Sequence, residues 1–192
     1  MVEKNWLHAK KKSFGYKDRD ERKRAAYLEQ IKGKSPANLV YVDESGIDNH
    51  EVYPYAWGPK GPRIHGEKYG HKTARLSFIA ALNDRKIKAP FTFEGYCTRD
   101  VFETYVERVL VPELMPGQTV VIDNASFHKG PKVQRLIEKA GCELLYLPPY
   151  SPDFNPIENW WSPIKHHIRQ FMEWRDKDLH KAAGWIFQKI LT

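Results

Sequence analysis

Apolar and polar positions along this chain fall into blocks whose period changes several times. Residues 17–36, KDRDERKRAAYLEQIKGKSP, have helix-forming composition with Ala25, Ala26, Leu28 and Ile31 as a thin apolar stripe. That pattern predicts a lone connecting helix, closed near Gly33 and Pro36. From residue 38 the runs become short, β-branched and aromatic. NLVYVDESG (38–46) predicts a buried strand, RLSFIAAL (75–82) and APFTFEG (89–95) a hairpin around Asn83 to Lys86, and VYPYAW (52–57) an edge strand. Val101, Tyr105, Val109 and Leu110, recurring after a cap at Thr98 or Asp100, predict a helix over 98–114. TVVID (119–123) then reads as a strand, PKVQRLIEKAG (131–141) as a helix ended by Gly141, and CELLYLP (142–148) as another strand. A final helical region starts near Pro156, with breaks expected at Pro163 and at 176–178. Three strands, then helix and strand in alternation, then helix, describe an α/β fold in which helices pack on a mixed five-stranded sheet.

Composition narrows the class. A 192-residue chain with 41% hydrophobic and 13% aromatic residues suits one soluble globular domain. Cys97 and Cys142 match no metal or disulfide spacing, which points to a reducing cytoplasm. No apolar run reaches the length of a membrane span, and the N-terminus has no signal-peptide pattern, so neither a membrane nor a secreted protein is expected. The net charge of +7 changes the picture once it is located. Residues 1–34 hold 11 Lys and Arg against 5 Asp and Glu, so the excess sits in an N-terminal arm ahead of a nearly neutral domain. Such an arm suits a polyanion, since each neutralised phosphate releases condensed counterions; a solvated tail has the same composition. The segment 58–75, GPKGPRIHGEKYGHKTAR, offers Lys60, Arg63, Lys68, Lys72 and Arg75 either as a grip on DNA or as a solvated loop.

Candidate chemistry begins with two aspartates. VYVDES and VVIDNAS each place one carboxylate, Asp43 or Asp123, in an apolar run with no adjacent Lys or Arg. A buried carboxylate needs hydrogen bonds, a partner or a metal, although either Asp alone could simply end its strand and cap a turn. If the strands are parallel neighbours, both acids sit at one sheet end, where α/β folds bind ligands, and form a hard-oxygen site suited to Mg²⁺ or Mn²⁺. A third carboxylate would allow two ions to be held. Glu158 is the candidate. Its segment, Asn155-Pro156-Ile157-Glu158, also fits an N-cap, a proline at the first helical position and a capping-box Glu. The following helix carries Ile157, Trp160 or Trp161, Ile164, Ile168 and Phe171 as its core stripe, so its tryptophans read as packing. Glu158, Lys165 and Arg169 lie on a neighbouring stripe that could track a phosphate backbone.

Taken together and in order, VDESG, VIDNASFHKG and LPPYSPDFNPIENWW resemble the three signature blocks of DDE transposases of the mariner superfamily, in the bacterial insertion sequence 630 branch. The resemblance covers roughly residues 16 to 175, and the 34 residues between Asp123 and Glu158 match the family's spacing. It implies an RNase H-like catalytic domain over 37–192, preceded at 1–36 by a basic arm and linker helix left from a DNA-binding region. It further implies that Asp43, Asp123 and Glu158 are the catalytic, metal-binding triad, holding two Mg²⁺ with Mn²⁺ able to substitute and Asp43 bridging the ions. Asn124 and His128 fall in the second block; His128 beside Lys129 reads either as a neutral surface histidine or as a phosphate contact, and Lys129, Lys60, Arg63, Lys72, Lys165 and Arg169 are the further candidate DNA contacts that the charge pattern offers.

The implied reaction is metal-dependent cleavage at transposon ends followed by strand transfer into target DNA, with no covalent protein intermediate. Double-stranded DNA and a second copy of the chain are the expected partners, in a cytoplasmic, nucleoid-associated protein. Met1 falls near the end of the helix-turn-helix region that relatives carry, so a split, frameshifted or truncated transposase is expected, its helix-turn-helix half being encoded separately or lost. An RNase H-like nuclease and an inactive DNA-binding remnant are the rival readings.

Overall fold

A computed structural model of the protein describes residues 16–48, 58–65, 75–174 and 178–191. The strand expected at 52–57, together with Lys68, Lys72 and the first fifteen residues of the basic arm, lies outside them.

Five strands form one mixed sheet. They are β1 (Leu39–Asp48), β2 (Arg75–Asn83), β3 (Lys86–Glu94), β4 (Thr119–Ile122) and β5 (Glu143–Tyr146), in the order β3-β2-β1-β4-β5. β1 is central: it runs antiparallel to β2 from Val40 to Asp48 and parallel to β4 from Leu39 to Val42. β4 in turn pairs in parallel with β5. The β2–β3 hairpin turns on Asp84 and Arg85, both with positive φ (47° and 62°), as a two-residue turn matched to strand twist requires. Pro90 is accommodated because β3 is an edge strand with a register shift opposite Ile79 and Ala81.

The helices are α1 (Glu21–Ile31), α2 (Arg99–Tyr105), α3 (Pro131–Lys139), α4 (Glu158–Trp174) and α5 (Leu179–Leu191). Alternation along β1 divides them between the two faces of the sheet. Even positions Val40 and Val42 join Val120, Ile122, Phe102, Tyr105, Val133 and Ile137 in a core under α2 and α3. Ile47, with Leu76, Phe78 and Ala80 of β2, packs against Trp161, Ile164 and Ile168 of α4 and Ala183 and Phe187 of α5.

Several sequence expectations shift. The helix expected over 98–114 is α2 followed by a π-helical turn at Val106–Leu110 and a 3₁₀ turn at Val111–Glu113, and its buried face is Phe102, Tyr105, Val106 and Leu110. α1 is not a lone helix. Leu28 is exposed, whereas Tyr27 is buried against Leu39, Val121 and Leu147. Arg24 forks onto Asp153 at 3.0 and 2.7 Å, reaches Ser151 at 2.8 Å and lies over the Phe154 ring.

The break expected at Pro163 does not occur, and α4 continues through it. Pro163 and Asn159, whose carbonyl loses its partner to the proline, are both exposed, where solvent can take the place of the missing bond. A proline inside a helix costs about 3 kcal/mol. Burial of Trp161, Ile164 and Ile168 against the sheet, at about 1.5–3 kcal/mol per side chain, exceeds that cost. The interruption expected at 176–178 falls largely outside the described residues, with α4 described to Trp174 and α5 from Leu179.

Candidate active site

The parallel pairing of β1 and β4 ends at Val42 opposite Ile122, and the next residue on each strand is an aspartate. Asp43 and Asp123 are therefore neighbours at one level of the sheet, as the sequence pattern suggested. Asp43 does not end its strand, however. β1 continues to Asp48 because β2 pairs with it over that length, while β4 leaves the sheet after Ile122.

That difference separates their surroundings. Asp43 is 7% exposed, and its Oδ2 accepts a hydrogen bond from Trp161 Nε1 at 2.8 Å. Burial pushes its carboxyl up from 3.8 to about 7; the Trp161 N–H opposes this, and the charges of Glu158 and Glu44 add to it. Trp161 thus does more than pack against Phe78, where the ring centroids lie 5.3 Å apart. It also fixes the orientation of Asp43, a role that an indole in an apolar stripe does not announce.

Asp123 stands in a loop and is half-exposed. Its Oδ1 accepts from Ala125 N–H at 2.9 Å and from His128 Nδ1 in a very short contact. His128 Nε2 lies 2.7 Å from Glu44 Oε1. Burial would push the His128 ring towards neutrality, but the hydrogen bonds to Asp123 and Glu44 outweigh it and raise the imidazole to about 9. Burial also acts to raise Asp123; the bond and charge of His128, the Ala125 N–H and the Lys129 charge together hold it below its ordinary value. His128 is completely buried, with Phe102 and Phe127 at centroid distances of 4.0 and 4.2 Å. The expected surface contact to phosphate is therefore corrected: the ring faces two carboxylates inside the protein.

Glu158 opens α4, and the capping reading of its segment fails. Asn155 N–H donates to the Pro152 carbonyl, so it is not available to a capping-box glutamate. Asn155 Oδ1 is buried and makes no hydrogen bond among the described residues. The helix start is instead closed by Glu158 N–H donating to the Asn155 carbonyl at 3.2 Å. Glu158 is reachable from solvent, yet desolvation raises its pKa against the nearby Lys165 charge, with Asp123 adding to the rise. Glu158 therefore links the acids electrostatically, its charge acting on Asp43 and that of Asp123 acting on it.

Among the described residues, no group of three or more His, Cys, Asp and Glu side chains is arranged to hold a metal ion. The donor chemistry nevertheless fits a hard divalent cation. Asp43 and Glu158 are both raised, by burial first and then by a neighbouring carboxylate, Glu158 for Asp43 and Asp123 for Glu158, and a bound cation would relieve that repulsion. Of the expected DNA contacts, Lys60, Arg63 and Lys129 are exposed, while Lys165 and Arg169 are half-buried on α4. Arg75 lies 3.5 Å from Asp48, with its guanidinium over Tyr96. Glu44 is the site residue that the sequence reading passed over. The signal was its place beside Asp43, since alternation sends adjacent strand residues to opposite faces.

A profile of the DDE superfamily endonuclease family matches residues 38–180. A Sinorhizobium fredii protein described as uncharacterized, y4pE/y4sA, is 32% identical over 118 residues, covering 56% of this chain and 80% of that protein. The transposable element Tcb2 transposase of Caenorhabditis briggsae is 25% identical over 172 residues, 84% of this chain and 63% of the transposase. Among solved structures, the Mos1 strand transfer complex superposes with a TM-score of 0.62 at 16% identity, covering 97% of this chain and 66% of that one. The Mos1 transposase catalytic domain with Raltegravir and Mg gives 0.60 at 14% identity, covering 88% and 79%. These structural likenesses show a shared fold, and the chain spans under two thirds of the Tcb2 transposase. With a family match over residues 38–180, most of its length, the chain belongs to the DDE superfamily endonucleases.

Proposed function

We propose that this chain is the catalytic part of a mariner-type DNA transposase of the bacterial insertion sequence 630 branch, cleaving DNA at transposon ends and joining the freed strand to target DNA. The observation that carries this reading is the adjacency of Asp43 and Asp123 across β1 and β4, with Glu158 brought to them by α4. Asp43, Asp123 and Glu158 would hold Mg²⁺, or Mn²⁺ in its place, as a pair of ions. When bound, the pair supplies the charge that makes water or a 3′-hydroxyl nucleophilic and that offsets charge on the leaving oxygen.

The protein's own residues prepare that site. Trp161 orients Asp43, and α4 couples the two acids because Glu158 and Trp161 lie one helical turn apart. The His128 bond and charge keep Asp123 ionised, as a cation ligand must be. Exposed Lys129 at the mouth, together with Lys60, Arg63 and the basic N-terminal arm, supplies phosphate contacts, and Lys165 and Arg169 extend them along α4. Lys72 belongs to the same basic segment. Double-stranded DNA is the substrate. The structural likeness to the Mos1 transposase paired-end complex supports a pairing of two copies on DNA ends. A separate helix-turn-helix unit would supply recognition of the end sequence.

The test is incubation of the wild-type chain and Asp123→Asn with Mg²⁺ and a DNA fragment bearing the element's ends. Wild type should release 3′-ends and form strand-transfer products, while the variant retains DNA binding without cleavage. Cleavage by Asp123→Asn at the wild-type rate overturns the proposal. Cleavage without strand transfer would favour a simple nuclease.

A further inference from the structure

Asp123 is not held by its strand. β4 ends at Ile122, and the segment from Asp123 to Gly130 contains no regular structure beyond a 3₁₀ turn at Ser126–His128. Fixing a carboxylate on such a loop requires contacts from elsewhere in the fold. Those contacts run along one line: Asp123 Oδ1 to His128 Nδ1, and His128 Nε2 to Glu44 Oε1 at 2.7 Å on β1. The imidazole has little freedom to turn. It is fully buried between Phe102 and Phe127, and its backbone carbonyl accepts a hydrogen bond from Tyr146 OH of β5 at 3.2 Å. Glu44 is itself fixed by the strand that carries Asp43. It points to the α2 side, where the Cys97 thiol also lies beside it.

From this arrangement we infer that Glu44 and His128 are positioning residues: Glu44 sets the His128 ring, and the ring sets the Asp123 carboxylate so that its Oδ2 is presented to the site. Both hydrogen bonds to Asp123 fall on Oδ1, and Oδ2 takes part in neither. Asp43 and Asp123 are thus cross-linked through the sheet, because the residue next to Asp43 anchors the ring that anchors Asp123. A substitution at Glu44 should therefore act on Asp123 across the sheet without touching DNA. The inference rests on the proposed role of Asp123 as a cation ligand.

The experiment compares Glu44→Gln with Glu44→Asp in the full chain. Glu44→Gln keeps the reach and an acceptor oxygen, and Glu44→Asp keeps the charge but withdraws the acceptor by one methylene. Mn²⁺ binding to DNA-free protein is measured by calorimetry, with thermal melting as the folding control, alongside kcat and KM for DNA cleavage. Loss of a partner that orients a metal ligand typically costs 10- to 100-fold. Glu44→Asp should bind Mn²⁺ about tenfold more weakly and lose kcat without a change in KM for DNA, and Glu44→Gln should stay near wild type. Wild-type Mn²⁺ affinity in Glu44→Asp overturns the inference, as does equal weakening in both variants, which would make charge rather than placement the cause. If Asp123→Asn itself leaves Mn²⁺ binding and cleavage intact, the underlying functional reading fails instead.

Discussion

Asp43 and Asp123 occupy matching places on two paired strands, yet the fold treats them in opposite ways. Asp43 lies inside a continuous strand, nearly without solvent, and its side-chain donor among the described residues is a neutral indole. Asp123 lies just past the end of its strand, half-exposed, and is held by a charged imidazole. The first is therefore raised to about 7 and the second lowered. Two identical side chains differ because desolvation dominates where the strand continues, and a specific cationic partner dominates where it ends. A site that combines the two has one acid that gains from a cation's arrival and one already ionised to meet it.

The largest expected effect erases the difference between them: Asp43→Asn and Asp123→Asn should each lower DNA cleavage by about 10²–10³-fold, since on the proposed reading each would remove a ligand of the cations that stabilise the reacting charge. Stability should then separate them. In metal-free protein near pH 8, Asp43→Asn should raise the melting temperature by several degrees, because a carboxyl moved from 3.8 to about 7 represents an upper bound of roughly 4 kcal/mol of folding free energy. Asp123→Asn should lower it, at a cost of about 1–3 kcal/mol of folding free energy, because buried His128 loses a charged partner. Melts in chelator read both signs, and a common sign for the two variants would break the comparison.

The pH dependence follows from the same asymmetry. Between about pH 4 and 7 the folded chain retains a proton on Asp43 that the unfolded chain has released, so metal-free stability falls as pH rises through that window. Asp43→Asn should flatten this slope. His128, raised to about 9, contributes stability that is full below about 6.5 and lost as pH rises through 9. A smaller effect is expected from Trp161→Phe, which keeps an aromatic ring but removes the donor that lowers Asp43. Titration of the Asp43 carboxyl by NMR should show its midpoint moving further up. Smallest of all is Arg24→Ala. Asp153, held low chiefly by its bond to Arg24, contributes stability present at neutral pH and lost as pH falls through its depressed pKa. An exposed pair of this kind is worth about 1 kcal/mol or less.

Much of the fold was legible because burial and alternation are written into composition. The strands at 38–46, 75–82, 89–95, 119–123 and 142–148 are all present, shifted by a few residues at their ends. Less was legible in helices whose ends depend on packing. The pattern marked Leu28 as buried where Tyr27 is, since a stripe four residues wide does not show what lies beneath it. Pro163 read as a break because local cost was weighed without the buried face that outweighs it. The capping box at Asn155 to Glu158 was a sound local motif whose donor had been given to Pro152 instead. His128 read as a surface residue because Lys129 follows it, and nothing in the order of residues places Glu44 against it.

The sequence by itself determined which residue types stand at each position, the order of strands and helices, and the three acids with their spacing. Those follow from hydrophobic period, local propensity and covalent order, which act over a few residues. Tertiary structure alone decided that Asp43 and Asp123 share one level of the sheet, that Trp161 and His128 hold them, and that one acid is raised by burial while the other is held low. His128 is only five residues from Asp123, but the Glu44 that sets its ring is 84 away, and Trp161 is 118 from Asp43. The fields and desolvation that set such a site exist once those groups are brought together.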